Sequence, residues 1–230
     1  MSQNTSHSVM AQRTESPDSL DDFPTPPWAT RGFIEHVLGG QASTAGLHVL
    51  EPACGRGYMS SALAEYFSEV TSSDIFDYGF AETRDFLNEP REEKSVDWVI
   101  TNPPFKAAEV FVKEGLKVAR VGVAILTRTV FIESIGRYER LFSVRPPAIV
   151  AQYVERVPMV KGRLDKKAST ATGYCWLVWG PLSNAGTELV WIPPCRKKLE
   201  RQTDYSDATG QLDLMARIEY YRLLKLRDGG

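Results

Sequence analysis

Two glycines two positions apart, Gly55 and Gly57, separate an apolar run at 47–50 from an amphipathic stretch at 58–67. A chain with this pattern passes from a buried strand through a sharp turn directly into a helix. Glycine permits the turn and lets backbone lie close against a ligand, where a β-carbon would intrude. The alternation continues with strands at 70–75, 97–101 and 121–126 and a helix at 107–119. Later runs at 149–154, 174–179 and 189–192 have the Val, Ile, Tyr and Trp content of strands, so Trp176, Trp179 and Trp191 are expected in the core. Strands alternating with helices predict an α/β fold, a Rossmann-like doubly wound, mostly parallel seven-stranded sheet. The late strands lack long intervening helices, which predicts an antiparallel hairpin at one sheet edge.

The remaining segments divide the 230 residues into three parts. Residues 1–21 are polar and read as a flexible tail, since they cannot bury enough surface to offset the entropy of ordering. Residues 22–200 form the folded domain, and 201–230 a C-terminal linker with a helix at 211–226. The domain opens on DFPTPPW, residues 22–28, whose prolines stiffen the backbone and place the first helix after Pro27, at 29–38.

Composition narrows the function. With 43% hydrophobic and 24% charged residues, no long uncharged apolar run and a polar N-terminus, the chain reads as soluble and cytoplasmic, with no membrane partner. Three cysteines without CxxC spacing and three histidines predict neither a disulfide framework nor a metal site. A net charge of -2 argues against coating nucleic acid non-specifically, yet leaves room for local basic patches. Lys161, Arg163, Lys166 and Lys167 form one such patch, on a loop at 159–171 placed to close over a substrate and hold its phosphates. A second patch runs from Arg196 to Arg201, and solvated loops are the plain alternative for both.

The turn itself reads Glu51-Pro52-Ala53-Cys54-Gly55-Arg56-Gly57. Asp74 ends the next predicted strand, where a doubly wound fold presents an acid to ribose hydroxyls. Ser60 stands where a pyrophosphate-binding loop has its third glycine, and Glu51 repels phosphate while tolerating a cation. A nucleoside with a cationic centre, S-adenosylmethionine, fits these residues.

Further on, Asn102-Pro103-Pro104-Phe105 follows a predicted strand at the ligand-binding edge of the sheet. An exocyclic aromatic amine is a poor nucleophile because its lone pair is delocalised into the ring. Two oxygen acceptors at its hydrogens, the Asn102 side-chain oxygen and the Pro103 carbonyl, localise that lone pair. Consecutive prolines fix the carbonyl in place, and Phe105 offers a face on which an extruded base can stack. No strong base is required, since the methylated amine becomes acidic and loses its proton afterwards.

EPACGRG resembles the cofactor loop of class I S-adenosylmethionine-dependent methyltransferases, and TNPPF resembles the catalytic motif of the amino-methyltransferases. DFPTPPW is similar to the N-terminal motif of DNA adenine (6-amino) methyltransferases, including small phage-type enzymes. The resemblance spans residues 22–181 and implies the class I methyltransferase fold, cofactor S-adenosylmethionine and methylation of DNA adenine. It implies contacts from Phe23, Thr25 and Pro26 to the methionine end of the cofactor and from Asp85 and Phe86 to its adenine. Glu51, Pro52, Ala53, Gly55, Gly57, Asp74 and Asn102 complete that set, with Ile75 and Phe76 able to pack on the adenine or to join the core. Other acceptors of the same chemistry are RNA amines and a protein glutamine amide, and a non-catalytic binding subunit is the reading of another class. Only about fifty residues follow Pro181, fewer than the target-recognition domains of sequence-specific adenine methyltransferases. A short or relaxed target site, or specificity provided by loops and a second subunit, is expected, on a monomer or homodimer.

Overall fold

The computed structural model describes residues 21–89, 91–180 and 186–205; residues 1–20 of the tail expected at 1–21 and the helix expected at 211–226 lie outside the described residues, while Asp21 of that tail is held by the Phe105 N–H. In chain order the elements are α1 (Pro27–Phe33), a π-helical turn (Ile34–Leu38), α2 (Gln41–Thr44), β1 (His48–Glu51), α3 (Tyr58–Leu63) and β2 (Glu69–Asp74). Next come β3 (Glu82–Thr83), β4 (Val96–Thr101), α4 (Ala108–Val118), β5 (Ala119–Arg128) and α5 (Ile135–Arg137). They are followed by β6 (Ile149–Tyr153), β7 (Tyr174–Trp179), β8 (Glu188–Ile192), α6 (Arg196–Leu199) and a final 3-10 turn (Gln202–Tyr205). The first helix begins at Pro27 rather than after it, because the first helical position is where a missing N–H costs nothing.

All eight strands of the described residues join one sheet in the order β3-β2-β1-β4-β5-β7-β6-β8, a doubly wound arrangement. The strand absent from the sequence reading is β3, two exposed residues whose composition gives no strand signal. Among the described strands only β7 runs antiparallel, and it lies between β5 and β6 rather than at the rim. The connection from β6 to β7 contains no crossover helix, so the chain reverses direction there. Outside it, β8 returns to parallel pairing with β6.

Alternate residues of the central strands feed two cores, one on each face. Val49, Ile100, Ala124, Leu126, Trp176 and Val178 pack with α1 and α3. Leu50, Val99, Val123, Ile125, Leu177 and Trp179 pack with α4. This two-residue period explains the near-continuous apolar runs of the strands. Phe33 stacks on Trp176 with ring centroids 4.2 Å apart, and Trp176 Nε1 donates to the Tyr153 hydroxyl, which donates to the Ala29 carbonyl. Trp191 departs from expectation: it is 60% exposed, because β8 is the rim strand and one of its faces meets solvent.

The chain's last described turn is locked to its first helix. Arg31, buried in α1, donates to Glu65 and to both carboxylate oxygens of Asp204. Residues of the 201–205 segment are thereby bonded to α1 and to Glu65.

Candidate active site

The carboxyl ends of β1, β2 and β4 meet at a cavity of about 220 Å³ closed on one side by Phe23 and Thr25. Its wall holds Glu51, Pro52, Ala53 and Gly55 from the turn after β1, Asp74 and Ile75 from the end of β2, Asp85 and Phe86 after β3, and Asn102 after β4. Residues from five separate stretches of sequence are thereby brought together. Ile75 and Phe76 are exposed at this wall, so they are not core residues.

Two expected contacts, Pro26 and Gly57, do not reach the wall. Pro26 precedes α1 and is buried. Gly57 has φ +82°, and a β-carbon there would meet the Phe80 ring at 2.2 Å, so packing within the protein explains this glycine. Gly55 differs: its φ is +51° and nothing lies within 4 Å of where a β-carbon would be. It faces the cavity, and Asp74 Oδ2 accepts its N–H at 2.8 Å. The other Asp74 oxygen accepts the Phe76 N–H at 3.0 Å, so the carboxylate that faces the ligand also holds the turn.

Charge in the cavity is lopsided. Asp21, Asp22, Glu51, Asp74 and Asp85 face one guanidinium, Arg56, which pairs with Asp22 at 3.2 Å. Glu51 is buried and receives a hydrogen bond from Ser60. Burial pushes its carboxyl up to about 8, with Asp74's charge adding to the rise and the Ser60 bond opposing it. Burial also raises Asp74. Such a site repels phosphate and favours a cationic ligand, while Pro52, Ile75, Phe76 and Phe86 supply apolar surface for a flat ring. Asp85 has a second duty. Its oxygens accept the Leu87 and Asn88 N–H groups and the Asn88 side-chain amide, a turn cap that holds its carboxyl below the usual range. Burial pushes the Cys54 thiol well up, which fits a packing residue rather than a nucleophile.

Asn102 Nδ2 donates to the Phe23 carbonyl at 3.0 Å and to Thr25 Oγ1 at 3.1 Å, with Met159 Sδ at 3.9 Å. This amide orientation leaves Oδ1 without a donor among the described residues. The carbonyl of buried Pro103 likewise takes no hydrogen bond there. Asn102 and Pro104 belong to the cavity wall and Pro103 does not.

Phe105 is placed differently from the expected open platform. Its N–H is held by Asp21 Oδ2 at 2.8 Å, the Phe23 ring lies at 5.9 Å, and the Arg128 guanidinium sits 4.1 Å from its centroid. One ring face is therefore covered by a cation. The basic loop stays off the cavity wall as well. Gly162 N–H donates to the Asp22 carbonyl at 2.8 Å, which fastens the loop beside the N-terminal motif. Arg163 pairs with Asp165 at 3.3 Å, Lys166 donates to Gln202 at 3.1 Å, and Lys161 and Lys167 belong to the same loop. Among the described residues no cluster of three or more His, Cys, Asp or Glu side chains could hold a metal ion, and no helix is long and apolar enough to cross a membrane.

The sequence reading missed Asp21, Asp22, Arg56 and Tyr78 at the cavity. Asp22 and Arg56 could have been found, as the acid opening DFPTPPW and the cation between the two glycines. Tyr78 gave no signal, since its contact with Arg56 depends on the fold of a loop.

No family model matches the chain, and no curated protein matches it. Solved structures do. The modification subunit of a candidate type I restriction enzyme from Vibrio vulnificus superposes with TM-score 0.54 at 13% identity over 86% of this chain and 53% of that one. A type I restriction-modification methyltransferase subunit from Streptococcus thermophilus gives 0.50 at 14% identity, over 89% and 54%. A candidate RNA methyltransferase from Pyrococcus horikoshii gives 0.52 at 16% identity, over 70% and 87%. The chain spans about half the length of the first two. At these identities the likeness establishes a shared fold.

Proposed function

We propose that this protein is an S-adenosylmethionine-dependent methyltransferase acting on the 6-amino group of adenine in DNA. The observation that carries the proposal is the tethered amide of Asn102, whose two N–H partners leave Oδ1 and the adjacent Pro103 carbonyl as a pair of acceptors. A planar amine directed at that pair gives up its hydrogens to hydrogen bonds, and its lone pair turns out of the ring. The prolines would hold the Pro103 carbonyl, and the bonds to Phe23 and Thr25 the Asn102 amide, in position before the reaction, which avoids reorganisation during it.

The cavity residues fit the cofactor. Asp74 would hold ribose hydroxyls, Asp21 and Asp22 would balance the positive charge, Glu51 would give up its proton as the cation arrives beside it, and Ile75, Phe76 and Phe86 would flank the adenine. When bound, the cofactor supplies an electrophilic methyl group. Lys161, Arg163, Lys166 and Lys167 would contact substrate phosphates from a loop fastened beside Asp22. The motif order and the methyltransferase names of the structural neighbours support this reading. RNA is the second reading, favoured by the Pyrococcus horikoshii neighbour, 87% of which is covered without a large extra domain.

The test is incubation of the purified protein with labelled S-adenosylmethionine and, separately, duplex DNA, single-stranded DNA, ribosomal RNA and protein. Label in DNA is the expected result. Label in RNA supports the second reading, label in protein supports a glutamine amide, and cofactor binding without transfer to any polymer indicates a binding subunit.

A further inference from the structure

We propose that Arg128 grips a phosphate of the substrate beside the target nucleotide, an inference that rests on the nucleic-acid reading above. Arg128 ends β5, at the same edge of the sheet as Asn102. Its guanidinium carbon lies 4.1 Å from the Phe105 ring centroid and 5.9 Å from that of Phe23. The side chain is half-buried, and its Nε is shielded from water with no hydrogen-bond partner. Among the described residues no ion pair reaches it. Arg31, Arg56, Arg84, Arg91 and Arg196, which are also partly or wholly sheltered, each meet a carboxylate.

A sheltered cation without a counter-charge is costly, so stacking on Phe105 compensates only part of what an anion would supply. The cofactor cavity is a poor source of that anion. Arg128 is not on its wall and lies beyond Phe23 and Phe105, outside a pocket lined by carboxylates. The guanidinium fork matches phosphate oxygens in two parallel hydrogen bonds. A second cation reaches the same edge. Arg156 Nη1 lies 3.3 Å from where a β-carbon of Gly173 would be, and the Gly173 carbonyl accepts the N–H of Thr129, the residue after Arg128. When Arg128 turns to a phosphate it uncovers the Phe105 face, so backbone capture and base stacking become one event.

The test compares wild type, Arg128→Gln and Arg128→Lys. A short fluorescent adenine-containing duplex and its single strand are titrated at several salt concentrations, and S-adenosylhomocysteine affinity is measured by calorimetry as a readout of the intact fold. Arg128→Gln should weaken duplex binding roughly tenfold. It should also flatten the log-log salt slope by about 0.9, or about 0.7 for the single strand, with S-adenosylhomocysteine affinity unchanged. Arg128→Lys should keep the slope, since it keeps the charge. An unchanged slope in Arg128→Gln overturns the proposal. So does lost S-adenosylhomocysteine affinity with normal DNA binding, which would assign the guanidinium to a cofactor carboxylate. A wild type that binds neither DNA strand form nor ribosomal RNA defeats the nucleic-acid reading itself, and that outcome is visible before any variant is compared.

Discussion

The side-chain amide of Asn102 is held by the backbone carbonyl of Phe23, 3.0 Å from its nitrogen and 79 residues away in sequence. This bond, with that from Asn102 to Thr25, makes DFPTPPW an orienting strap for the NPPF motif. The first motif thereby sets the orientation of the Asn102 amide.

Asn102→Ala is expected to retain cofactor affinity while methyl transfer falls by about 10²–10³-fold, the usual cost of removing one preorganised polar group at a reacting centre. Thr25→Val removes only one of the two amide tethers and should lower turnover by less. Single-turnover kinetics beside calorimetry separates the effects. Equal losses of binding and turnover would place Asn102 in ligand binding alone.

Asp74→Ala removes both a ligand-facing carboxylate and the group that fastens Gly55 and Phe76. Affinity for S-adenosylhomocysteine should fall by about 1–3 kcal/mol, measured by calorimetry. Unchanged affinity would detach Asp74 from the cofactor.

Glu51 predicts a pH effect whose sign follows from its raised carboxyl. The folded protein keeps the proton up to about 8, whereas an unfolded chain releases it near the ordinary value of 4.5. The contribution is therefore fully present below the lower value and is lost as pH rises through the upper one. Thermal unfolding of the unliganded wild type should lose stability relative to Glu51→Gln across that window, with no further divergence above it. Parallel pH profiles would contradict the buried, protonated carboxyl.

Arg31→Ala leaves Asp204 and Glu65 sheltered without their shared partner, although Arg201 still reaches Glu65. Urea unfolding should register a loss of about 3–5 kcal/mol, towards the lower end because of Arg201. A loss under about 1 kcal/mol would mean that residues 201–205 are not part of the cooperative unit.

Much of this architecture is legible in sequence because strands buried on both faces leave continuous apolar runs, as at Val121–Leu126 and Tyr174–Trp179. The cavity's chemistry is legible for a related reason: Glu51, Asp74 and Asn102 each lie at or just past a strand's carboxyl end. What the sequence hides depends on tertiary context. A two-residue strand such as β3 has no periodicity to detect, and Trp191 looks like a core residue unless its strand is known to lie at the rim. Phe105 looks free until Arg128, 23 positions later, is folded onto it. The loop cations form a run, whereas Arg128 is an isolated charge at the end of an apolar strand and meets no acid among the described residues.

The most direct measurement is the chemical identity of the product. DNA incubated with the protein and S-adenosylmethionine carrying a labelled methyl group is digested to nucleosides and resolved by mass spectrometry. The account predicts the label in 6-methyl-deoxyadenosine, and its loss in Asn102→Ala. Label in 5-methylcytosine, or the same yield of methyladenine from Asn102→Ala as from wild type, would contradict it.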